Sequence, residues 1–278
     1  MHISVITDEI SQNPEYAFDF LVNLGINHIE LRSMWEKNII NIDQNELQKI
    51  INLINERDLK VSCLATPIFK CFLNGSEETT TGDRFFVKEE KYEEHLKILS
   101  FSLKLAKIFK TNIIRIFSFW KLRSLDDDKW NEIIKKFSHA INLSKDGIIL
   151  ALENEHTCNI CDTNLISKFF NSVDNSKIKL LWDPCNSLIS GINPLDEYEQ
   201  IKNLICHVHI KNVIRSKNNQ YKYTTLSDGI IDYKTLIRKL IEDNYEGAIS
   251  VESHVENNRM KENILKDSII FLKEIVND

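Results

Sequence analysis

The chain has 278 residues, 42% of them hydrophobic and 27% charged, the composition of an ordinary folded protein, which excludes a disordered tail, a collagen-like rod and a disulfide-stapled miniature. Its 35 Lys and Arg against 41 Asp and Glu give a net charge of −6, opposite in sign to a surface that neutralises phosphates, so nucleic acid is not an expected partner. Seven glycines and four prolines leave little material for phosphate-cradling loops or linkers, and one compact domain over residues 1–278 is expected.

Residues 1–10 lack a basic stretch followed by an apolar one, and no apolar run approaches the ~18 residues that span a bilayer, so a cytoplasmic protein without membrane contact is expected. Short β-rich apolar runs then recur at 3–7, 28–32, 61–66, 113–118, 148–153, 178–183, 206–210 and 248–252. Their near-continuous apolar character suits strands buried on both faces, as in a parallel sheet. Amphipathic stretches lie between them. Ala17, Phe18, Leu21, Val22 and Leu24 form one helical stripe, and Leu96, Leu99, Leu103, Ala106 and Ile108 another. Asp126, Asp127 and Asp128 ahead of Trp130 give an acidic helix start. Leu236, Ile237, Leu240 and Ile241 repeat the stripe near the end, and Gly25, Gly147 and Gly247 fall between a helix and the next strand.

An eightfold strand–helix alternation closes as a (β/α)₈ barrel or stays open as a doubly wound sheet. The first strand ends at Thr7-Asp8-Glu9, with no G-x-G-x-x-G turn there or elsewhere, so the barrel is favoured over a dinucleotide fold. Chemistry is then expected at the C-terminal ends of the strands, where the βα loops converge. The longest insertion, residues 67–86 after the third strand, should cover that mouth as a lid, with Asn74-Gly75-Ser76 and residues 79–82 as its loop chemistry. Six cysteines are too sparse for a disulfide framework, and Cys158 and Cys161 form a lone C-x-x-C with no second pair to complete a zinc site.

The strand ends are rich in ligating side chains. The fifth reads Leu152-Glu153-Asn154-Glu155-His156, the sixth Trp182-Asp183-Pro184-Cys185-Asn186, the seventh His207-Val208-His209-Ile210-Lys211, and the eighth Val251-Glu252-Ser253-His254. Four adjacent strands therefore deliver Glu, Asp, His and Glu to one mouth. Oxygen-rich ligation with one imidazole suits a single divalent ion, Mn²⁺ first, with Mg²⁺, Co²⁺ or Zn²⁺ as alternatives. A lone carboxylate at a strand end is commonly a helix N-cap; three carboxylates and a histidine on four successive strands point instead to a shared ligand. Side chains alternate with period two, so Glu153 and Glu155 share a face and periodicity leaves both open as the ligand. His209 lies nearer the mouth than His207, which is expected one layer deeper.

With these stretches in view, the chain resembles the xylose isomerase-like barrel superfamily, and within it the sugar-phosphate isomerase/epimerase and ketose 3-epimerase branch. The resemblance is carried by Ile6-Thr7-Asp8-Glu9-Ile10-Ser11, Ile29-Glu30-Leu31-Arg32, Ile114-Arg115-Ile116-Phe117, the four strand ends above, and Asp228-Gly229-Ile230-Ile231-Asp232 through Tyr245-Glu246-Gly247 to Glu252. It implies a metal held by Glu153, Asp183, His209 and Glu252, which resolves the choice between Glu153 and Glu155. It implies substrate contacts at Asn186 and Arg215, and a homodimer or homotetramer. Asn186 stands where the 3-epimerases carry histidine, and Asn159 where they carry glutamate.

A sugar with adjacent carbonyl and hydroxyl groups can chelate such a metal, which acidifies the intervening C–H. Glu153 and Glu252, from the fifth and eighth strands and able to flank a substrate, are the expected acid/base pair. The expected enzyme is a sugar or sugar-phosphate isomerase or epimerase. The alternative is a dehydratase of a keto-cyclitol or dehydroshikimate-type acid, in which the enolate expels a β-hydroxyl. Lys211 and Glu155 are candidate substrate contacts, and Trp120, Trp35 and Phe119 are candidates to stack on the substrate's apolar face. An abasic-DNA endonuclease would need histidine at Asn186 and a basic groove; a non-catalytic sugar-binding barrel would not need the full ligand set.

Overall fold

The computed structural model describes residues 1–75, 82–88, 90–144, 147–255 and 258–277. Eight strands, β1 (His2–Ile6), β2 (His28–Leu31), β3 (Lys60–Ile68), β4 (Ile113–Ile116), β5 (Ile149–Glu153), β6 (Ile178–Trp182), β7 (Ile205–Ile210) and β8 (Ala248–Val251), pair in parallel in chain order, and β8 closes on β1. Helices cover the barrel: α1 (Pro14–Asn23), α2 (Gln44–Glu56), α3 (Tyr92–Phe109), α4 (Asp127–Leu143), α5 (Thr163–Ser172), the short α6 (Pro184–Ile189), α7 (Pro194–Ile201), α8 (Tyr233–Glu242) and α9 (Asn258–Asn277). The protein is a (β/α)₈ barrel, as the alternation of apolar runs and amphipathic stretches requires. Among the described residues no helix is long and apolar enough to cross a membrane.

Most helix starts are set by the residue types expected of N-caps. Asn13 accepts from the amides of Glu15 and Tyr16 ahead of Pro14, Asp43 and Glu46 form a capping box on α2, and Asp126 accepts from Lys129 N. The buried stripes are narrower than the sequence pattern. Phe18 and Leu21 on α1 and Leu99, Leu103 and Ala106 on α3 are buried, whereas Val22, Ile108 and Ile241 are exposed. Ile108 lies two residues, about 200° of helix, beyond Ala106, so it turns away from the sheet. Gly25, left-handed at φ +67, closes α1 and turns the chain into β2.

The strand limits also shift in places. β3 runs on to Ile68, and its pairing with β4 slips between Leu64 and Ile68. Phe117 N still donates to Ile68 O at 2.8 Å, so the chain leaves the ladder there without leaving its neighbour. Thr7–Glu9, expected at the end of β1, winds into a 3₁₀ turn that brings Asp8 and Glu9 back over the barrel. Two hairpins absent from the sequence reading rise at the C-terminal end: Ser33–Met34 with Lys37–Asn38, and Asn212–Arg215 with Tyr221–Thr224. Of the insertion at 67–86, residues 76–81 lie outside the described residues; Gly82, Asp83 and Phe85 line the cavity at the mouth.

Candidate active site

The mouth holds a cavity of about 340 Å³ lined by Glu153, Glu155, Asn186, Lys211, Tyr223, Glu252 and their neighbours. Glu153, Asp183, His209 and Glu252, from β5, β6, β7 and β8, each bring one donor atom within 4.8 Å of those of the others, and all four are buried. Asp183 shows how one carboxylate serves two ends. Its Oδ1 caps α6 by accepting from Cys185 N at 2.8 Å and Asn186 N at 3.1 Å, while Oδ2 faces Lys211 Nζ at 2.6 Å. Asn154 locks the strand end that carries it: its Oδ1 accepts from Asp183 N at 2.7 Å and its Nδ2 donates to Asp183 O at 3.1 Å.

His209 gives the clearest test of whether the residues fit a metal. Its Nε2 donates to Glu30 Oε1 at 2.9 Å, which leaves Nδ1 as the lone pair. That Nδ1 is buried without a hydrogen-bond partner and lies 3.8 Å from Glu153 Oε1 and 3.9 Å from Glu252 Oε2. A buried lone pair with no donor, aimed among carboxylates, fits a cation. Three carboxylates and one imidazole make a hard, oxygen-rich set. Burial opposes charge on His209, but Glu30, Glu153 and Glu252 raise its pKa above the ordinary imidazole value.

One layer below, Glu30 Oε2 also accepts from His207 Nε2 at 2.9 Å, so a single fully buried carboxylate holds both histidines. Burial pushes Glu30 up, yet His209 and His207 overcome it and keep it well below the usual carboxylate range. His207 is the interior histidine expected from its position.

Buried cations surround the carboxylates. Arg115 reaches Glu153 Oε2 at 3.2 Å and is itself held by the carbonyls of Thr66 and Ala65. Arg32 joins Asp8, Glu9 and Glu252. Lys211 Nζ lies 2.9 Å from Glu252 Oε2 as well as against Asp183, and these two partners hold its pKa well above normal against burial. The two glutamates differ as a result. Burial raises Glu153, with Arg115 and His209 only partly offsetting it. Burial also pushes on Glu252, but His254, Lys211 and Arg32 hold it well below the usual range.

Of the other sequence candidates, Asn186 Nδ2 donates to Glu153 Oε1 at 3.3 Å, and Glu155 lines the cavity between His156 Nδ1 at 2.9 Å and Lys70 Nζ at 3.5 Å. Arg215 is exposed on the second hairpin, bonded to Asn219 and Tyr221, and lines a separate surface cleft. Trp120 is fully buried with Phe117 and Cys158 behind the wall. Phe119 packs among Phe69, Tyr92 and Phe137, and Trp35 lies on the first hairpin beside Lys49. None of these three tryptophan or phenylalanine side chains lines the cavity; its aromatic surfaces are Phe85 and Tyr223, the latter stacked on His254 at 5.1 Å. Cys161 Sγ bonds Lys121 Nζ at 3.2 Å, apart from Cys158. The sequence reading assigned no role to Glu30, Arg32, Arg115 or Lys70, although a charged residue inside an apolar strand run was a visible signal for the first three.

A barrel of this build, with candidate ligands on four successive strand ends, has known relatives. Residues 18–275 match the model of the Xylose isomerase-like TIM barrel family, and the chain belongs to that family. It is 27% identical over 143 residues to an inosose dehydratase of Clostridium beijerinckii; the match covers 46% of this chain and 48% of that protein, so the chain spans about half the length of the curated relatives it matches. Among solved structures it is similar to the probable 3-DHS dehydratase AsbF of Bacillus anthracis (TM-score 0.77, 19% identity, 98% of this chain and 99% of that one). It is also similar to an L-ribulose 3-epimerase (TM-score 0.75, 14% identity, 100% and 95%) and to the IOLI protein with a bound zinc atom (TM-score 0.77, 14% identity, 99% and 98%).

Proposed function

We propose that the protein is a divalent-metal-dependent enzyme that enolises a small polyhydroxylated carbonyl compound. The observation that carries this is the unpartnered His209 Nδ1 facing Glu153 and Glu252 at the floor of the mouth cavity. Glu153, Asp183, His209 and Glu252 would hold the ion. When bound, it would polarise a substrate carbonyl and stabilise the charge that develops on deprotonation of the adjacent carbon. Glu153, raised by burial, takes that proton, and Arg115 and Asn186 hold its carboxylate in place. Lys211 and Glu155 contact substrate hydroxyls, while Phe85 and Tyr223 exclude water above them.

Two outcomes follow from the same first step. In dehydration the α-proton passes to a carboxylate, the β-hydroxyl leaves with a proton as water, and a conjugated carbonyl results. In isomerisation or epimerisation a proton returns to carbon. Isomerisation and epimerisation are the first expectation from sequence; dehydration moves ahead because an inosose dehydratase and a probable 3-DHS dehydratase are both among the similar proteins. Glu252 weighs the same way. Its carboxylate is engaged by Arg32, Lys211 and His254, which leaves it poorly placed to carry a proton on the second face.

The test is metal analysis of purified protein, then a solvent-deuterium exchange screen over ketoses and keto-cyclitols with ultraviolet monitoring. Metal-dependent exchange with a rising enone absorbance is expected. An isomerised sugar without absorbance selects epimerisation or isomerisation; undiminished exchange after exhaustive chelation rules out the metal-dependent reading.

A further inference from the structure

The buried charges around the cavity do not cancel. Asp8, Glu9, Glu30, Glu153, Glu155, Asp183 and Glu252 supply seven carboxylates, against Arg32, Arg115, Lys70 and Lys211, and all eleven side chains are at most 14% exposed. Three negative charges remain, and a divalent ion would still leave one. Lys261, 3.5 Å from Glu9, brings the total to about zero. The cations are also already engaged. Arg115 pairs with Glu153, Arg32 with Asp8, Glu9 and Glu252, Lys211 with Asp183 and Glu252, and Lys70 with Glu155.

An anionic substrate group would have to bind against these buried pairs without a cation of its own, which is unfavourable. Among the described side chains no further guanidinium lines the cavity; Arg84 lies with its Cζ 5.9 Å from the Trp120 ring. The 76–81 stretch contains no basic residue in the sequence. Hydroxyl groups, by contrast, find many partners: Glu155, His156, Asn186, Lys211, Tyr223 and His254 all face the cavity.

From this closed set of ion pairs we infer that the substrate is an uncharged polyhydroxylated ketone, such as a free ketose or a keto-cyclitol, and not a sugar phosphate or a carboxylate-bearing acid. The inference rests on the enolising function proposed above and narrows it. Glu155 is the selective element, because it neutralises Lys70, whose ammonium is otherwise enclosed by the rings of Phe117 at 4.5 Å, Phe85 at 5.4 Å and Trp120 at 5.8 Å. Removing its charge should convert Lys70 into a receptor for an anion.

The experiment measures binding by calorimetry in the presence of Mn²⁺, with xylitol and myo-inositol as neutral probes and inorganic phosphate and shikimate as anionic ones. Deuterium exchange into a ketohexose, a keto-cyclitol, a ketose phosphate and dehydroshikimate runs alongside. The wild type should bind the polyols, exchange only the neutral ketones and show no saturable anion binding. Glu155→Gln should gain about tenfold or more in affinity for phosphate or shikimate, an effect that weakens as ionic strength rises. Wild-type preference for an anionic ketone overturns the inference and leaves enolisation standing. Unchanged anion affinity in a folded Glu155→Gln protein, checked by its thermal transition, refutes the role of Glu155. Absence of exchange with every ketone in the metal-loaded wild type overturns the function itself.

Discussion

Glu30→Gln isolates the contribution of a residue that cannot touch the substrate. The wild-type carboxylate accepts from two imidazoles, at 2.9 and 3.1 Å from His209 Nε2 and 2.9 Å from His207 Nε2. Both histidines are thereby held with the proton on Nε2, and His209 is left with Nδ1 free to ligate. Glutamine fits the same space but offers one acceptor and one donor. One histidine must then turn its Nε2 lone pair to the amide N–H and carry its proton on Nδ1. If that is His209, its ligand atom is blocked. If it is His207, which has Ser250 Oγ at 3.0 Å as a second partner, His209 keeps its tautomer but loses the negative charge that strengthens it as a donor. Loss of such an outer partner costs metal affinity about 10- to 100-fold, or about 1.4 to 2.7 kcal/mol. Competition with a chelator measures the Mn²⁺ or Zn²⁺ affinity, and the ¹⁵N shifts of the histidines in metal-free protein report which tautomer changed. Metal affinity within twofold of wild type would refute the argument, whatever happens to the thermal transition.

Three further outcomes are expected. Glu153→Gln and Glu252→Gln should each lower turnover at least about 100-fold with the fold retained by circular dichroism; substantial turnover in either would remove that glutamate from the reaction. Lys211→Ala should weaken substrate binding about tenfold or more because it also releases Asp183 and Glu252, whereas Arg215→Ala, on its exposed hairpin, should leave KM within about twofold; a large effect at Arg215 would bring that hairpin into the site. His95 is buried, its Nδ1 accepts from Phe69 N at 3.0 Å, and burial alone lowers its pKa to about 4. The folded protein therefore binds fewer protons there than the unfolded chain. This stability is complete above about pH 6.5 and is lost as the pH falls to 4, by about 3 kcal/mol. Urea unfolding at pH 7, 5 and 4 should show this part of the loss in wild type and not in His95→Asn, which keeps an acceptor for Phe69; parallel curves would refute it.

The barrel was legible because each of its strands is buried on both faces, and a run such as 148–153 has few other ways to be satisfied. The hairpins were not legible for the opposite reason. Trp35 and Glu36 turn at φ 52 and 58, angles that neither side chain advertises. Arg215 was assigned by resemblance to a substrate contact, yet it sits opposite Tyr221 at the outer end of its hairpin, two residues beyond the Val213–Tyr223 pair, so Tyr223 lines the cavity while Arg215 lies outside. Trp120, Trp35 and Phe119 were read as stacking partners by residue type alone. Ring size says nothing about which side of a wall a ring occupies, and none of the three lines the cavity, Trp120 lying behind Lys70, which does.

The alternation of side chains along a strand explains why the buried charges beside the candidate ligands were passed over. Inward positions recur every second residue, so one strand loads successive depths: Glu30 below Arg32, His207 below His209 below Lys211, and Glu252 below His254. Selecting only the residue at each strand end picks out the candidate ligands and discards the groups bonded to them. Yet a charged side chain placed inside an apolar run would be costly unless another strand supplied its partner. Glu30 in β2 requires donors at its own depth, and β7 is the strand that offers two imidazoles two residues apart. Arg115 in β4 likewise requires an acid, and the neighbouring β5 ends in Glu153. Taken together, these requirements pair the strands before any coordinates are known, and they imply that the ligands and the groups that hold them change together. Substitution at Glu30 or Arg115 should therefore weaken the binding of a metal held by Glu153, Asp183, His209 and Glu252, Glu30 from below the mouth and Arg115 from its wall.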